Sequence, residues 1–204
     1  MLSISADKID SLFESIASSY NLYLPVDNES GKAEFEQWEK GKKLSSALKT
    51  VRSAKDFFFP KVENLVNYKR EGKSITVVDP RKDLGDFVVF GVRGCDAASF
   101  AIIDDVYLKM DPVDSYYKNR RDHGTVVTLA CTDPAQTCFC STYNIDATNP
   151  KGDVTSWLAD GKYFFQANTD KGNALIEKIK GLLSESDDKA VEAQKKEVSE
   201  KIEK

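Results

Sequence analysis

The 204-residue sequence predicts an α/β (mixed α+β) chain: a central mostly parallel or mixed sheet flanked by helices, followed by a charged C-terminal helix or tail. Three observations predict it. Ile75-Thr-Val-Val-Asp79, Phe87-Val-Val-Phe-Gly-Val92 and Thr125-Val-Val-Thr-Leu-Ala130 are short β-branched or aromatic runs, the pattern of strands covered on both faces. Between the second and third, Ala97 to Leu108 has apolar residues at helical spacing, as a connection between parallel strands does. A composition of 41% hydrophobic and 10% aromatic residues is enough to close one good core or two small ones.

In chain order, Ile9 to Tyr20 places Ile9, Leu12, Phe13 and Ile16 on one helical face, which predicts a core-facing helix. Asn21 to Val26 reads as a short strand. Asp27-Asn-Glu-Ser-Gly31 supplies a turn before Phe35 and Trp38, suggesting a hairpin. Lys43 to Val51 predicts another short helix. Lys55-Asp-Phe-Phe-Phe-Pro60 gives a bulky aromatic anchor whose proline biases Phe59 away from helical geometry, and Glu63 to Tyr68 resumes a helix. Lys162 to Ala167 is a late strand candidate and Gly172 to Leu183 a late helix. Residues 1–183 thus form one α/β domain. From Ser184 the composition shifts to Lys, Glu, Ala and Gln, a charged linker or helix over 184–204 whose apolar residues Val191, Val198 and Ile202 are too sparse for a coiled coil.

Composition excludes several classes. Four cysteines in 204 residues fall far below the density of a secreted disulfide scaffold. The N-terminus, Met-Leu-Ser-Ile-Ser-Ala-Asp-Lys, has neither a basic n-region nor an apolar h-region, and no run approaches the roughly 18 apolar residues of a membrane span. A soluble, reducing, cytoplasmic setting is expected, where thiols stay reduced unless a metal takes them. With 29 basic and 33 acidic residues the chain lacks the basic footprint of a nucleic-acid binder.

The four cysteines, Cys95, Cys131, Cys138 and Cys140, fall in one 46-residue window, three of them in Cys131-Thr-Asp-Pro-Ala-Gln-Thr-Cys138-Phe-Cys140. Cys95 follows one predicted buried strand and Cys131 ends another. In a parallel sheet both emerge at the same carboxyl edge, where α/β sheets place their ligand sites. Gly91 and Gly94 would let backbone N–H groups approach closely. Four thiolates can hold zinc or an iron–sulfur cluster, and unligated buried or redox-active cysteines remain a third reading. Structural zinc sites commonly use two close pairs. One ligand separated by 35 residues from a C-x6-C-x-C group suits the wider cluster better.

Taken together, Lys55-Asp-Phe-Phe-Phe-Pro60 with Glu63, Phe90-Gly-Val-Arg-Gly-Cys-Asp96, Asp114-Ser-Tyr-Tyr-Lys-Asn-Arg-Arg121, and Cys131 with Cys138-Phe-Cys140 resemble a known family. It is the N-terminal domain of the iron–sulfur electron-transfer subunits typified by hydrogenase (sulfhydrogenase) beta subunits and by the corresponding iron–sulfur subunit of anaerobic sulfite reductase. The resemblance runs in order from about residue 15 to about residue 183. It implies a [4Fe-4S] cluster on the four cysteines and a non-catalytic, electron-relaying role. It also implies two kinds of partner: ferredoxin-type or terminal oxidoreductase subunits, and an FAD- and NAD(P)-binding reductase subunit. Family members usually continue into a ferredoxin-like domain with eight further cysteines, and this chain stops in the charged segment where that domain would begin, so onward transfer is expected in another polypeptide. The sequence has no G-x-G-x-x-G run and no P-loop.

A four-thiolate cluster is anionic, so Arg93 and the trio Lys118, Arg120 and Arg121 are candidates for tuning it or for contacting a partner, the alternative being a solvated basic turn. Asp96 is a candidate tuner but sits where it would cap a helix. Phe139, between two ligands, would shield the sulfurs or else join the core. His123, the only histidine, reads as a loop residue, and Tyr116, Tyr117 and the Phe57–Pro60 anchor read as packing. Two other functions compete with electron transfer: a zinc-stabilised assembly module without redox activity, and a thiol–disulfide enzyme using Cys138 and Cys140. The second is disfavoured because C-x-C closes a strained ring.

Overall fold

The computed structural model describes residues 1–202. Ten strands and five α-helices follow one another among the described residues: β1 (Leu2–Ser5), α1 (Ile9–Ala17), β2 (Asn21–Asp27), β3 (Ala33–Gln37), β4 (Asn67–Glu71), β5 (Ser74–Val78), β6 (Phe87–Val92), α2 (Gly94–Tyr107), α3 (Ser115–His123), β7 (Gly124–Leu129), β8 (Val154–Ala159), β9 (Lys162–Ala167), α4 (Asp170–Ile179), β10 (Ser184–Glu185) and α5 (Lys189–Ile202). Eight strands make one mixed sheet in the order β10-β1-β9-β8-β7-β6-β2-β3. Its centre is parallel (β2, β6, β7, β8) and its flanks are antiparallel. No helix is long and apolar enough to cross a membrane among the described residues.

The centre is where the sequence places it. All six residues of β6 and all six of β7 are buried, and alternate side chains serve opposite faces. Val88, Phe90, Val127 and Leu129 pack with Ile9, Leu12, Phe13 and Ile16 of α1 and with Leu175, Ile176 and Ile179 of α4. Phe87, Val89 and Val126 pack on the other face with Ala97 and Phe100 of α2, Tyr117 of α3 and Phe58. The aromatic anchor is packing: Phe58 is fully buried, Phe57 lies against Tyr23 and Phe35, and Phe59 against Tyr107.

β8 escapes a hydrophobicity reading because Thr155 and Ser156 lie in its buried middle. Their hydroxyls are satisfied locally: Thr155 Oγ1 donates to the Pro150 carbonyl oxygen at 2.8 Å and Ser156 Oγ to that of Thr128 at 2.6 Å. Burying them in pairs avoids the cost of an orphaned polar group.

Three expectations are corrected. Lys43 to Val51 forms no helix, because its backbone is recruited along the sheet: the Ser45 N–H donates to the Pro25 carbonyl and the Val51 N–H to that of Ala33. Glu63 to Tyr68 forms no helix either. Its end enters β4, which turns back through Gly72, at φ +62°, into β5. Ile75 to Val78 is a strand as expected, but it lies in that separate two-stranded ribbon and is exposed rather than buried on both faces.

The charged C-terminal segment docks. Val191 and Val198 of α5 are buried, Val191 with Trp157 and Phe164, and Val198 with Cys131, Cys140 and Ala147. Burying each such side chain contributes about 1.5–3 kcal/mol, and two polar anchors join them: Gln194 donates to the Leu158 carbonyl oxygen at 2.9 Å and the Lys195 ammonium lies over the Trp157 ring.

Candidate functional site

β6 and β7 are parallel neighbours, so the chain leaves both at the same edge of the sheet. Cys95 lies in the first turn of α2, directly after β6. Cys131 lies two residues beyond β7. Connection of β7 to the parallel β8 is made not by a helix but by a loop that carries the other two cysteines. That loop is closed at its base by the Cys131 N–H, which donates to the Ala147 carbonyl oxygen at 2.9 Å. Within it the Cys138 N–H bonds the Ala135 carbonyl at 2.9 Å, and the Cys140 carbonyl accepts from Ile145 at 2.9 Å and Tyr143 at 3.2 Å. Asn144, at φ +53°, makes the reversal these bonds require.

The loop's exit is pinned. One oxygen of Asp146 accepts from the Thr148 N–H (2.9 Å), the Thr148 hydroxyl (2.7 Å) and the Asn149 N–H (3.0 Å). Pro150 then presents its carbonyl to Thr128 and Thr155 on the sheet. Gly94 allows the start of α2 to press against this segment: a Cβ there would lie 3.2 Å from Pro150 Cβ and 3.4 Å from the Asp146 carbonyl oxygen.

Cys131 and Cys140 are buried in an apolar pocket with Ala147 and Val198, bordered by Leu48, Ile145 and Ile202. Cys138 is half-buried and Cys95 exposed. Burial pushes the Cys131 thiol up to about 11, opposed by Arg93 and reinforced by the other three cysteines. Cys140 is also raised, first by burial, and Cys95, although exposed as a residue, is raised first by partial desolvation of its sulfur and then by the Asp96 carboxylate. The four thiols therefore lie within electrostatic reach of one another. They are not closed around a single point: among the described residues no three His, Cys, Asp or Glu side chains stand in a group that could hold one metal ion.

Arg93 lies next to Cys95 and Cys131. Its guanidinium donates to the carbonyl oxygens of Ala130 (3.2 Å), Ala47 (3.3 Å) and Leu129 (3.4 Å). Among the described residues no carboxylate pairs with it, and desolvation destabilises its charge while the neighbouring Cys131 and Cys95 would stabilise it as thiolates. A largely buried cation answered only by neutral carbonyls fits an anionic group nearby. In kind, then, the residues suit a thiolate-bound metal or cluster: four sulfur donors, one edge, one enclosed cation.

Over 98 residues the chain is 35% identical to sulfhydrogenase 2 subunit beta of Pyrococcus furiosus. The chain is a distant, partial homologue of a hydrogenase beta subunit. The match takes in 48% of this chain and spans 27% of that relative's length. No family model and no solved structure matches the chain.

Other sequence candidates are placed differently. Asp96 does not cap α2: the N-cap position is Arg93, without a side-chain bond, and Asp96 pairs with Lys55 at 3.2 Å. Phe139 joins neither the core nor a sealed shield. It is 58% exposed and packs edge-on to Tyr143 at 5.7 Å. Arg120 and Arg121 are not brought to the cysteines, because α3 ends where β7 begins, at the opposite edge of the sheet from Cys131. Arg120 pairs with Glu63 at 2.8 Å. Arg121 forks onto both Asp104 oxygens at 2.9 Å while lying over the Phe58 and Phe100 rings. These are structural ion pairs rather than a solvated basic turn. Tyr117 also donates to Asp104, at 2.6 Å, and His123 Nδ1 lies 2.6 Å from Asp86.

Sequence reasoning does not find Leu48, Ala147 and Val198, which enclose the two buried thiols. The signal available was the seven-residue spacing of Val191 and Val198, which puts both on one face of a helix.

Proposed function

We propose that the chain is an electron-transfer subunit that holds one iron–sulfur cluster, of the [4Fe-4S] type, on Cys95, Cys131, Cys138 and Cys140. In this reading it relays electrons between a terminal oxidoreductase of the hydrogenase or sulfite-reductase kind and a flavin- and nicotinamide-dependent reductase subunit, and breaks no substrate bonds. The observation that carries the reading is the placement of the four cysteines at one edge of the sheet, two of them, Cys95 and Cys131, beside an Arg93 that no carboxylate pairs with among the described residues. Partial homology to a sulfhydrogenase beta subunit supports the redox assignment. The cluster would supply one-electron chemistry. The protein would supply the sulfur ligands, an apolar wall from Leu48, Ile145 and Val198, and a compensating positive charge. Residues 1–183 carry the ligands, and the charged segment beyond them contributes cover.

The test is anaerobic purification with iron, acid-labile sulfide and zinc quantified per chain, and the visible spectrum recorded before and after dithionite. About four irons and four sulfides, with bleaching on reduction, are expected. About one zinc without sulfide would overturn the reading and leave a structural assembly module.

Arg93 offers a second check. Replacing it by methionine removes a positive charge that favours the reduced, more negative state. The reduction potential should fall by on the order of 50 mV, measured by a dye-mediated titration followed by electron paramagnetic resonance. Arg93→Lys, which keeps the charge, should recover most of the shift. An unchanged potential in the methionine variant would remove Arg93 from the site.

A further inference from the structure

β4 and β5 stand apart from the main sheet as an isolated two-stranded ribbon. Of their ten residues only Val78 is even half-buried. Two strands alone are marginally stable in water, and a third strand or a packed face is what makes such a ribbon secure. One face carries Tyr68, Ile75 and Val77, respectively 73%, 66% and 69% exposed, with Arg70 beside them.

The two free edges differ. β4 reads Asn-Tyr-Lys-Arg-Glu, with Lys69 at its centre, so a second β4 laid antiparallel would set Lys69 against Lys69. β5 reads Ser-Ile-Thr-Val-Val. It has no charge, no proline and no bulge, and its register with β4 is regular throughout. The devices that keep a strand edge from pairing with another chain are present on β4 and missing on β5.

β5 is also its own complement. About a two-fold axis through Thr76, Ile75 of each copy lies opposite Val77 of the other, Thr76 opposite Thr76, and Ser74 opposite Val78. β-branched and threonine pairs of this kind favour sheet formation. The resulting order β4-β5-β5-β4 puts the Lys69 and Arg70 side chains of the two copies on the outer strands, roughly 14 Å apart at three strand spacings. That exceeds the Debye length of about 8 Å at physiological salt, so their repulsion is largely screened.

We propose that the outer edge of β5 is a homodimerisation edge, where two copies of this chain pair antiparallel about Thr76 into a four-stranded sheet whose one face carries Tyr68, Ile75 and Val77 from each. The contact is isologous and self-limiting. It is independent of whether a cluster is bound, because the ribbon belongs to neither core cluster of the main sheet.

Sedimentation equilibrium of the full chain from about 5 to about 500 μM spans the range in which so small an interface associates. A concentration-dependent monomer–dimer equilibrium is expected. Thr76→Lys sets two like charges on the axis and should weaken dimerisation at least tenfold. Lys69→Thr, on the other edge, should leave it unchanged. Both positions are exposed, so folding is checked by an unaltered circular dichroism melt. A monomer at every concentration, or a Thr76→Lys protein that dimerises like the parent, overturns the proposal. Stronger association of Lys69→Thr also overturns it by placing the contact on β4. A monomeric result would leave the ribbon to a different protein chain.

Discussion

Cys131→Ala should leave a folded chain that retains less than about a tenth of the iron and sulfide of the parent, measured after anaerobic reconstitution. Cys131 is the natural position for this test because the backbone around it is held without its sulfur. Its N–H closes the loop on Ala147, and Ala130, one residue earlier, donates to the Ser156 carbonyl at 2.9 Å. Alanine keeps both bonds and brings no hydroxyl into the pocket of Leu48, Ile145 and Val198, where serine would place an unpaired polar atom at a cost of about 1–3 kcal/mol. The melting temperature of the cluster-free protein should therefore change little. Iron at the parental level in Cys131→Ala would remove this residue from the ligand set, and with it the argument from the shared carboxyl edge.

Trp157→Ala should be the most damaging single change to stability and should also loosen the site. The ring is 1% exposed between the sheet and α5, packed with Ala130, Phe164 and Val191, with the Lys195 ammonium 5.0 Å from its centroid. Its Nε1–H donates to the Thr148 carbonyl oxygen at 2.7 Å, at the exit of the cysteine loop. Truncation removes a large buried ring at a cost of about 3–5 kcal/mol and leaves that carbonyl without its donor. Chemical denaturation of the cluster-free protein should show the loss directly. Trp157→Phe separates the two contributions: it restores most of the packing but not the hydrogen bond, and should fall between alanine and the parent. A loss below about 1 kcal/mol in the alanine variant would mean that α5 does not depend on this ring.

The parts of the fold legible in the sequence are those whose patterns are local and unambiguous. β6, β7 and α2 are legible because runs rich in β-branched and aromatic residues match a strand and a 3.6-residue period matches a helix, and here a core exists to receive both. α1 was readable from Ile9, Leu12, Phe13 and Ile16, all of which are buried. Lys43 to Val51 was not, since its fate depends on carbonyls of Pro25 and Ala33 that no local pattern displays. β5 looked like a buried strand because Ile-Thr-Val-Val is the same string whether or not a core exists to receive it.

The site divides the same way. The clustering of the four cysteines, their positions after two strands, and the presence of Arg93 beside Cys95 are properties of the chain order, and once β6 and β7 are parallel the shared edge follows from topology. What only the tertiary structure decided is which charges reach that edge and what encloses the thiols. Arg93 turns inward to three carbonyls from two segments, whereas Arg120 and Arg121, equally basic in the sequence, are held at the opposite edge by Glu63 and Asp104. Val198 closes the pocket from 58 residues beyond Cys140. Local sequence sets strand and helix through short-range sterics and periodicity, but long-range charge pairing and burial depend on which segments meet, and that is fixed only when the whole core closes.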